Sequence, residues 1–185
     1  MFKVTCIIKT ARLSLQPLCI DDLDSIHTLW TDPAVRRFLF DDQIISREQA
    51  VAEINDSIER SETHGCGLWG ARLREESELI GFCGYRFFHH PPQLQLLYGF
   101  HPRHWSRGFA TEAARAMIRF GFEEACFDFV IASADTPNLA SLRVMEKVGM
   151  KLARRETIGG LDTVYYKLDR QDFKPDNSIY QLQTL

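Results

Sequence analysis

The five cysteines of this 185-residue chain are odd in number, widely spaced and free of any C-x-x-C pair. Neither a disulfide framework nor a zinc site is indicated, and Cys6, Cys19, Cys66, Cys83 and Cys126 read as buried, reduced thiols. An excess of charge is also missing, since 22 basic against 25 acidic residues leave a net −3. Gripping a phosphate backbone needs a strong positive field, so no nucleic-acid partner is expected. No run approaches the roughly 18 apolar residues of a membrane span. The stretch from Met1 to Lys9 is a short apolar patch broken by lysines, without the apolar core and small-residue cleavage site of a signal peptide. A soluble, cytoplasmic protein with no membrane partner is expected. No internal repeat or linker interrupts the chain. With 45% hydrophobic and 25% charged residues, it has the composition and length of one globular domain.

Alternating apolar and polar residues over 12–18 predict a half-buried strand. Leu23, Ile26, His27, Leu29 and Trp30 lie at helical spacing. The helix they predict over 21–30 stops at Asp32-Pro33, because a residue before proline is pushed out of the helical region. Ser46 can cap a second helix over 46–62, in which Ala50, Ile54 and Ile58 recur every four residues. Phe38, Leu39 and Phe40 fall between these helices, before Asp41 and Asp42, and read as core first. Strands follow at 68–73 and 79–88 around a charged turn, then at 93–100 after the turn His89-His90-Pro91-Pro92. A long helix over 108–125 carries the apolar stripe Phe109, Ala113, Ala116, Met117 and Phe120. A buried strand at 129–132 precedes a helix over 138–148, which Gly149 ends. Strands at 151–154 and 163–168 flank Gly159-Gly160. The polar tail, 172–185, is expected to fray. The sum is a single α+β layer structure over 1–185.

Chemistry concentrates in two segments. His101-Pro102-Arg103-His104-Trp105-Ser106-Arg107-Gly108-Phe109-Ala110-Thr111-Glu112-Ala113 joins a strand to the long helix. A helix start presents unpaired N–H groups and the positive end of the macrodipole, together an anion site. Gly108 and Ala110 leave the backbone approachable, and Arg103 and Arg107 add guanidinium groups suited to phosphate. A diphosphate cradle fits, and so does a helix that merely begins with small residues and flanking arginines. In the second segment, Asn138 is a good helix cap and Ser141 lies in the first turn, which suffices structurally.

Taken together, W-x-x-G-x-A-T-E-A at 105–113 and N-x-x-S-x-x-V-x-x-K-x-G-M from Asn138 to Met150 resemble the GNAT acetyltransferases. Ile80-Gly81-Phe82-Cys83-Gly84 stands upstream as it does there, and the chain looks like the branch containing the ribosomal-protein alanine acetyltransferases. The resemblance runs from Arg12-Leu13 to about Asp172. It implies a central, mostly antiparallel sheet with helices on both faces, splayed between its fourth strand (95–100) and fifth strand (130–134). Acetyl-CoA would lie in that splay as cosubstrate, its pantetheine pairing with the fourth strand. Its pyrophosphate would rest on Arg107, Gly108, Phe109, Ala110 and Thr111, with Phe100, His101 and Arg103 close by. Asn138 would orient the cofactor arm, and Ser141 would be the catalytic acid, the hydroxyl that protonates the departing thiolate. The activity implied is acetyl transfer to a primary amine, on a protein N-terminus or a small molecule, by direct attack in a ternary complex. Such enzymes often pair through edge strands, so a homodimer is expected.

Three residues depart from the family pattern. Gln95 stands where relatives often carry a glutamate suited to a general base, which leaves a catalytically silent acyl-CoA-binding module as the alternative. Ser106 replaces a common glycine, and Gln16 a usual arginine. A nucleotide-binding protein using the same helix start is a third reading, disfavoured by the lack of a G-x-x-x-x-G-K-[ST] loop. His89, His90, His101 and His104 invite a metal, but the first two share a turn and cannot easily converge, so no metal is expected.

Overall fold

The computed structural model describes residues 6–89 and 91–184. Strand β1 (Cys6–Lys9) precedes β2 (Leu13–Pro17). Helix α1 (Leu23–Thr31) ends at Asp32, as the Asp32-Pro33 pair predicts. The same pair starts a helix that the sequence pattern did not show, α2 (Pro33–Leu39). Asp32 caps it by accepting from the Ala34 N–H, and Pro33 takes the first turn, where no donor is needed. So 33–39, including Phe38 and Leu39, is helical rather than loop.

Helix α3 (Arg47–His64) opens on the expected cap. Ser46 accepts from the Gln49 N–H while Gln49 returns a bond to the Ser46 N–H, and Gly65 closes the far end at φ 67. Strands β3 (Leu68–Leu73), β4 (Leu79–Phe88) and β5 (Gln93–Phe100) form the expected meander. The turn residue His90 lies outside the described residues. Helix α4 (Phe109–Glu123), β6 (Phe129–Asp135) and α5 (Leu139–Lys147) follow, then the hairpin β7 (Lys151–Ile158) and β8 (Leu161–Asp169).

Among the described residues, every ladder is antiparallel. With a last strand β9 (Gln181–Thr184), two sheets result, ordered β5-β4-β3-β2-β1-β9 and β6-β8-β7. The expected splay therefore falls between β5 and β6. These are the fifth and sixth strands rather than the fourth and fifth, because Cys6–Lys9 adds a strand in front. Apolar side chains cover both faces of the large sheet. Leu96, Phe100, Trp69, Met117 and Phe120 pack on the α4 side, and Phe82, Leu68, Ile26, Trp30 and Ile54 on the side of α1 and α3. Each such buried side chain contributes about 1.5–3 kcal/mol.

Two further expectations are corrected. The tail does not fray. Phe173 packs on Phe122 at 4.8 Å and Tyr180 lies under Arg119 at 4.5 Å, and β9 (Gln181–Thr184) pairs with β1. This cover buries Ile118 and Phe122 on a second face of α4. The cysteines are all free, and Cys66 and Cys83 are buried, but Cys6 is half-buried and Cys19 and Cys126 are exposed. Burial pushes the Cys66 thiol up to about 11, so that one is inert near neutral pH.

Candidate functional site: the split sheet and the start of α4

The split is a place where backbone groups go unpaired. β5 ends one sheet and β6 the other, and they lie side by side without a ladder. In an antiparallel pair, hydrogen-bonded and non-bonded residue pairs alternate. The His101 N–H bonds the Ile80 carbonyl at 2.9 Å, and Gly81 stands opposite Phe100. That parity turns the amides of Leu96, Tyr98 and Phe100 away from β4, toward the split. Trp105 agrees with it, because its indole Nε1 donates to the outward Phe100 carbonyl at 2.6 Å. His101, by contrast, spends its amide on β4.

Two pairs of side chains bridge the split. The Ser133 hydroxyl on β6 donates to Gln95 Oε1 at 2.7 Å, and Gln95 Nε2 donates to Gln93 Oε1 at 3.3 Å. Gln95 is 2% exposed, so its amide is an internal strut. From β5 the Tyr98 phenol reaches Ser141 on α5, 2.9 Å from its Oγ and 3.1 Å from its carbonyl oxygen. Burial pushes the Tyr98 phenol up, against the pull of its Ser141 bond. Asn138 caps α5, its Oδ1 accepting from the Ser141 N–H at 3.2 Å, so the capping role read from the residues holds.

At the other end of β5 the start of α4 is open. Its first backbone bond runs from the Glu112 N–H to the Gly108 carbonyl at 3.0 Å, and no side chain caps it. The amides of Phe109, Ala110 and Thr111 therefore have no helical partner. Gly108 adopts φ 81, and a Cβ there would meet only Arg12 Nη2, at 3.5 Å. Ser106 adopts φ 59, a left-handed conformation that a glycine takes without penalty. That accounts for the glycine usual at this position. Gln16 donates to Ser14 at 3.5 Å, and nothing in the structure explains it further.

The cations divide. Arg107 lies 5.0 Å from the Phe109 ring and within 3.3 Å of His104 Nδ1. Arg103 is paired with Glu78 and donates to His104 Nε2 at 3.1 Å. Burial, with Arg103 and Arg107 alongside, holds the His104 imidazole below its ordinary value. The sequence reading missed Arg12 as a site residue. It stacks on Phe109 at 4.5 Å, donates to the Arg107 carbonyl at 2.8 Å and pairs with Glu112 at 2.7 Å. It also missed Tyr98, for which only the alternation of β5 was a signal.

On the opposite face of the sheet, beside Gln95, a pocket of about 380 Å³ opens between the end of α2 and α3. Phe40, Asp41 and Gln43 line one side of it, and Glu53 and Arg86 the other. Glu53 and Arg86 are an ion pair at 2.5 Å. Arg86 is the ladder partner of Gln95, so this wall of the pocket stands on β4, one strand in from the split.

Residues 12–151 match the model of the acetyltransferase (GNAT) domain. The uncharacterized protein YkkB of Bacillus subtilis is 31% identical over 150 residues, covering 78% of this chain and 85% of that one. The uncharacterized N-acetyltransferase YnaD of the same species is 26% identical over 144 residues, covering 78% and 82%. Among solved structures, a RimL ribosomal L7/L12 alpha-N-protein acetyltransferase in complex with coenzyme A superposes with a TM-score of 0.76. Its identity is 15%, over 90% of this chain and 99% of that one, so the likeness is one of fold.

Proposed function

Because the chain belongs to the GNAT acetyltransferases, we propose that it passes the acetyl group of acetyl-CoA to a primary amine by direct attack within a ternary complex. The observation that carries this reading is the alignment of unpaired backbone along one path. The outward amides of Leu96, Tyr98 and Phe100 lead to the free amides of Phe109, Ala110 and Thr111. A chain ending in a diphosphate fits both halves, the first as an added strand and the second as an anion at a helix start.

The cosubstrate supplies an activated thioester, and the chain's residues hold and polarise it. Arg107, Gly108, Phe109, Ala110 and Thr111 seat the diphosphate, with Phe100, His101 and Arg103 at its border and Arg12 bracing the loop from behind. An outward amide of β5 donates to the carbonyl oxygen as charge gathers there, in a cleft where such a donor counts for more than in water. Ser141 donates to the departing sulfur, and Asn138 fixes the helix turn that carries it. The acceptor enters from the face of Gln95, through the pocket lined by Asp41, whose carboxylate suits an ammonium, while Glu53 is held by Arg86. A protein N-terminus or a small amine fits that description. The same reading makes 1–185 one catalytic domain acting in the cytoplasm. Among the described residues no helix is long and apolar enough to cross a membrane.

One observation favours a second reading. Gln95 cannot take a proton, and its Oε1 is already used by Ser133, so a chain that binds acetyl-CoA without turnover remains the rival. Calorimetric titration with acetyl-CoA, run beside a thiol-release screen over amines and short peptides, separates the two. Binding with release is expected. Binding with no release from any amine would favour the silent module or an acceptor outside the panel, and absence of binding would overturn both.

A further inference from the structure

Tyr98 and Ser141 share two protons among three oxygen atoms, and the serine hydrogen is free to face the split when the phenol supplies the hydrogen between the two hydroxyls. The phenol lies 2.9 Å from Ser141 Oγ and 3.1 Å from the Ser141 carbonyl. If the phenol donates to the carbonyl, the serine hydroxyl must point its hydrogen back at the phenol oxygen. If the phenol donates to Oγ, the serine hydrogen is free to turn into the split. The phenol hydrogen lies within reach of both acceptors, so a bond shared between Oγ and the carbonyl also leaves the serine hydrogen free. Tyr98 stands on β5, its amide faces the split, and its ring packs against the core on the α4 side. Burial raises its pKa, so it keeps its proton and stays a donor throughout the neutral range.

We infer that Tyr98 is a positioning residue for the leaving group, which by donating to Ser141 Oγ aims the serine hydroxyl hydrogen at the departing sulfur. This role rests on the acetyl-transfer reading above. In the step it serves, the N–C bond forms as the C–S bond breaks. The nitrogen sheds one proton to solvent. The sulfur leaves as a thiolate holding the Ser141 hydrogen bond and takes a solvent proton on release. Tyr98 and Ser141 each end with the proton they began with.

The test is a double-mutant cycle on thiol release from acetyl-CoA, with a panel of primary amines that includes hydroxylamine. All variants are compared at equal acetyl-CoA occupancy, set by titration. Tyr98→Phe keeps the ring and should lower kcat about tenfold, the upper worth of one hydrogen bond between neutral groups, with KM for acetyl-CoA unchanged. Ser141→Ala should lose a similar factor, and the double variant should be no slower than Ser141→Ala alone. A merely structural phenol would slow the Ser141→Ala background by the same factor as the wild type, and that additivity overturns the role. A wild-type chain that binds acetyl-CoA yet releases no thiol overturns the acetyl-transfer reading instead, and this role with it.

Discussion

Arg12 closes on Glu112 across 100 residues of chain. The Glu112 carboxylate takes the Arg12 Nε at 2.7 Å, the Arg12 backbone N–H at 2.8 Å and the Thr10 hydroxyl at 2.6 Å. One carboxylate thus ties the turn between β1 and β2 to the first turn of α4, where its charge also favours the helix dipole. Glu112→Gln should cost about 2 kcal/mol of stability, the scale of hydrogen bonds to a charged group. It should also weaken acetyl-CoA binding by loosening the Arg107 carbonyl that Arg12 holds. Denaturant unfolding and titration check the two effects. Unchanged affinity would detach the tie from the cradle.

Gly108→Glu should abolish acetyl-CoA binding, since it sets bulk and negative charge at the diphosphate seat. Gly108→Ala is the control. Its Cβ finds only an ordinary contact at 3.5 Å, so its cost is the left-handed backbone, about 1–2 kcal/mol. Calorimetry should show a modest affinity loss for alanine and no measurable heat for glutamate.

Ser106→Gly should stabilise the fold. Relief of a non-glycine residue at φ 59 returns about 1–2 kcal/mol, and the added freedom of the unfolded chain takes back about 0.5–1 kcal/mol. A net gain of about 0.5–1 kcal/mol should appear in the unfolding midpoint. A loss would mean that the Ser106 side chain contributes more than its backbone costs.

His104 gives a pH dependence of definite sign. Its folded pKa lies below the ordinary 6.5, so the unfolded chain binds more protons in the window between the two. Its contribution to stability is full above about 6.5 and is lost as pH falls through that window. A bound diphosphate reverses the local field and draws a proton onto the ring. Acetyl-CoA binding should therefore take up protons below the ordinary imidazole value, seen as a dependence of binding heat on buffer ionisation. His104→Ala should remove it.

Gln95→Glu tests the missing base. A carboxylate at this 2% exposed position keeps the Ser133 bond and is pushed upward by burial. Turnover should rise, more steeply on the alkaline side, in a pH–rate profile. An unchanged profile in a folded variant would place the base elsewhere.

Local patterns were enough for most elements, because their signals lie within a few residues of each other. The Ser46 cap, the alternation of β5 and the stripe of α4 are of this kind. The second helix was hidden because Asp32-Pro33 serves two purposes, ending α1 by excluding the helical region before proline and starting α2 by capping it. The tail was misjudged because its polarity is real, whereas Phe173 and Tyr180 matter only through partners some 50 residues or more away on α4. At the site, the free helix start could be read from Gly108 and Ala110. The Arg12–Glu112 tie and the Tyr98–Ser141 contact could not, since each joins residues that share no periodic pattern.

The pairing of β9 with β1 sets how the molecule responds to force. Cys6 stands opposite Thr184 and Lys9 opposite Gln181, so the chain leaves both strands at the same end of the ladder. Tension applied across that end loads the bonds one after another, as in a zipper, instead of all together in shear. The seam parts under small loads, while β1 stays laced to β2 on its other side. The brace from Arg12 to Glu112, beyond that second ladder, is reached only after the tail has peeled away.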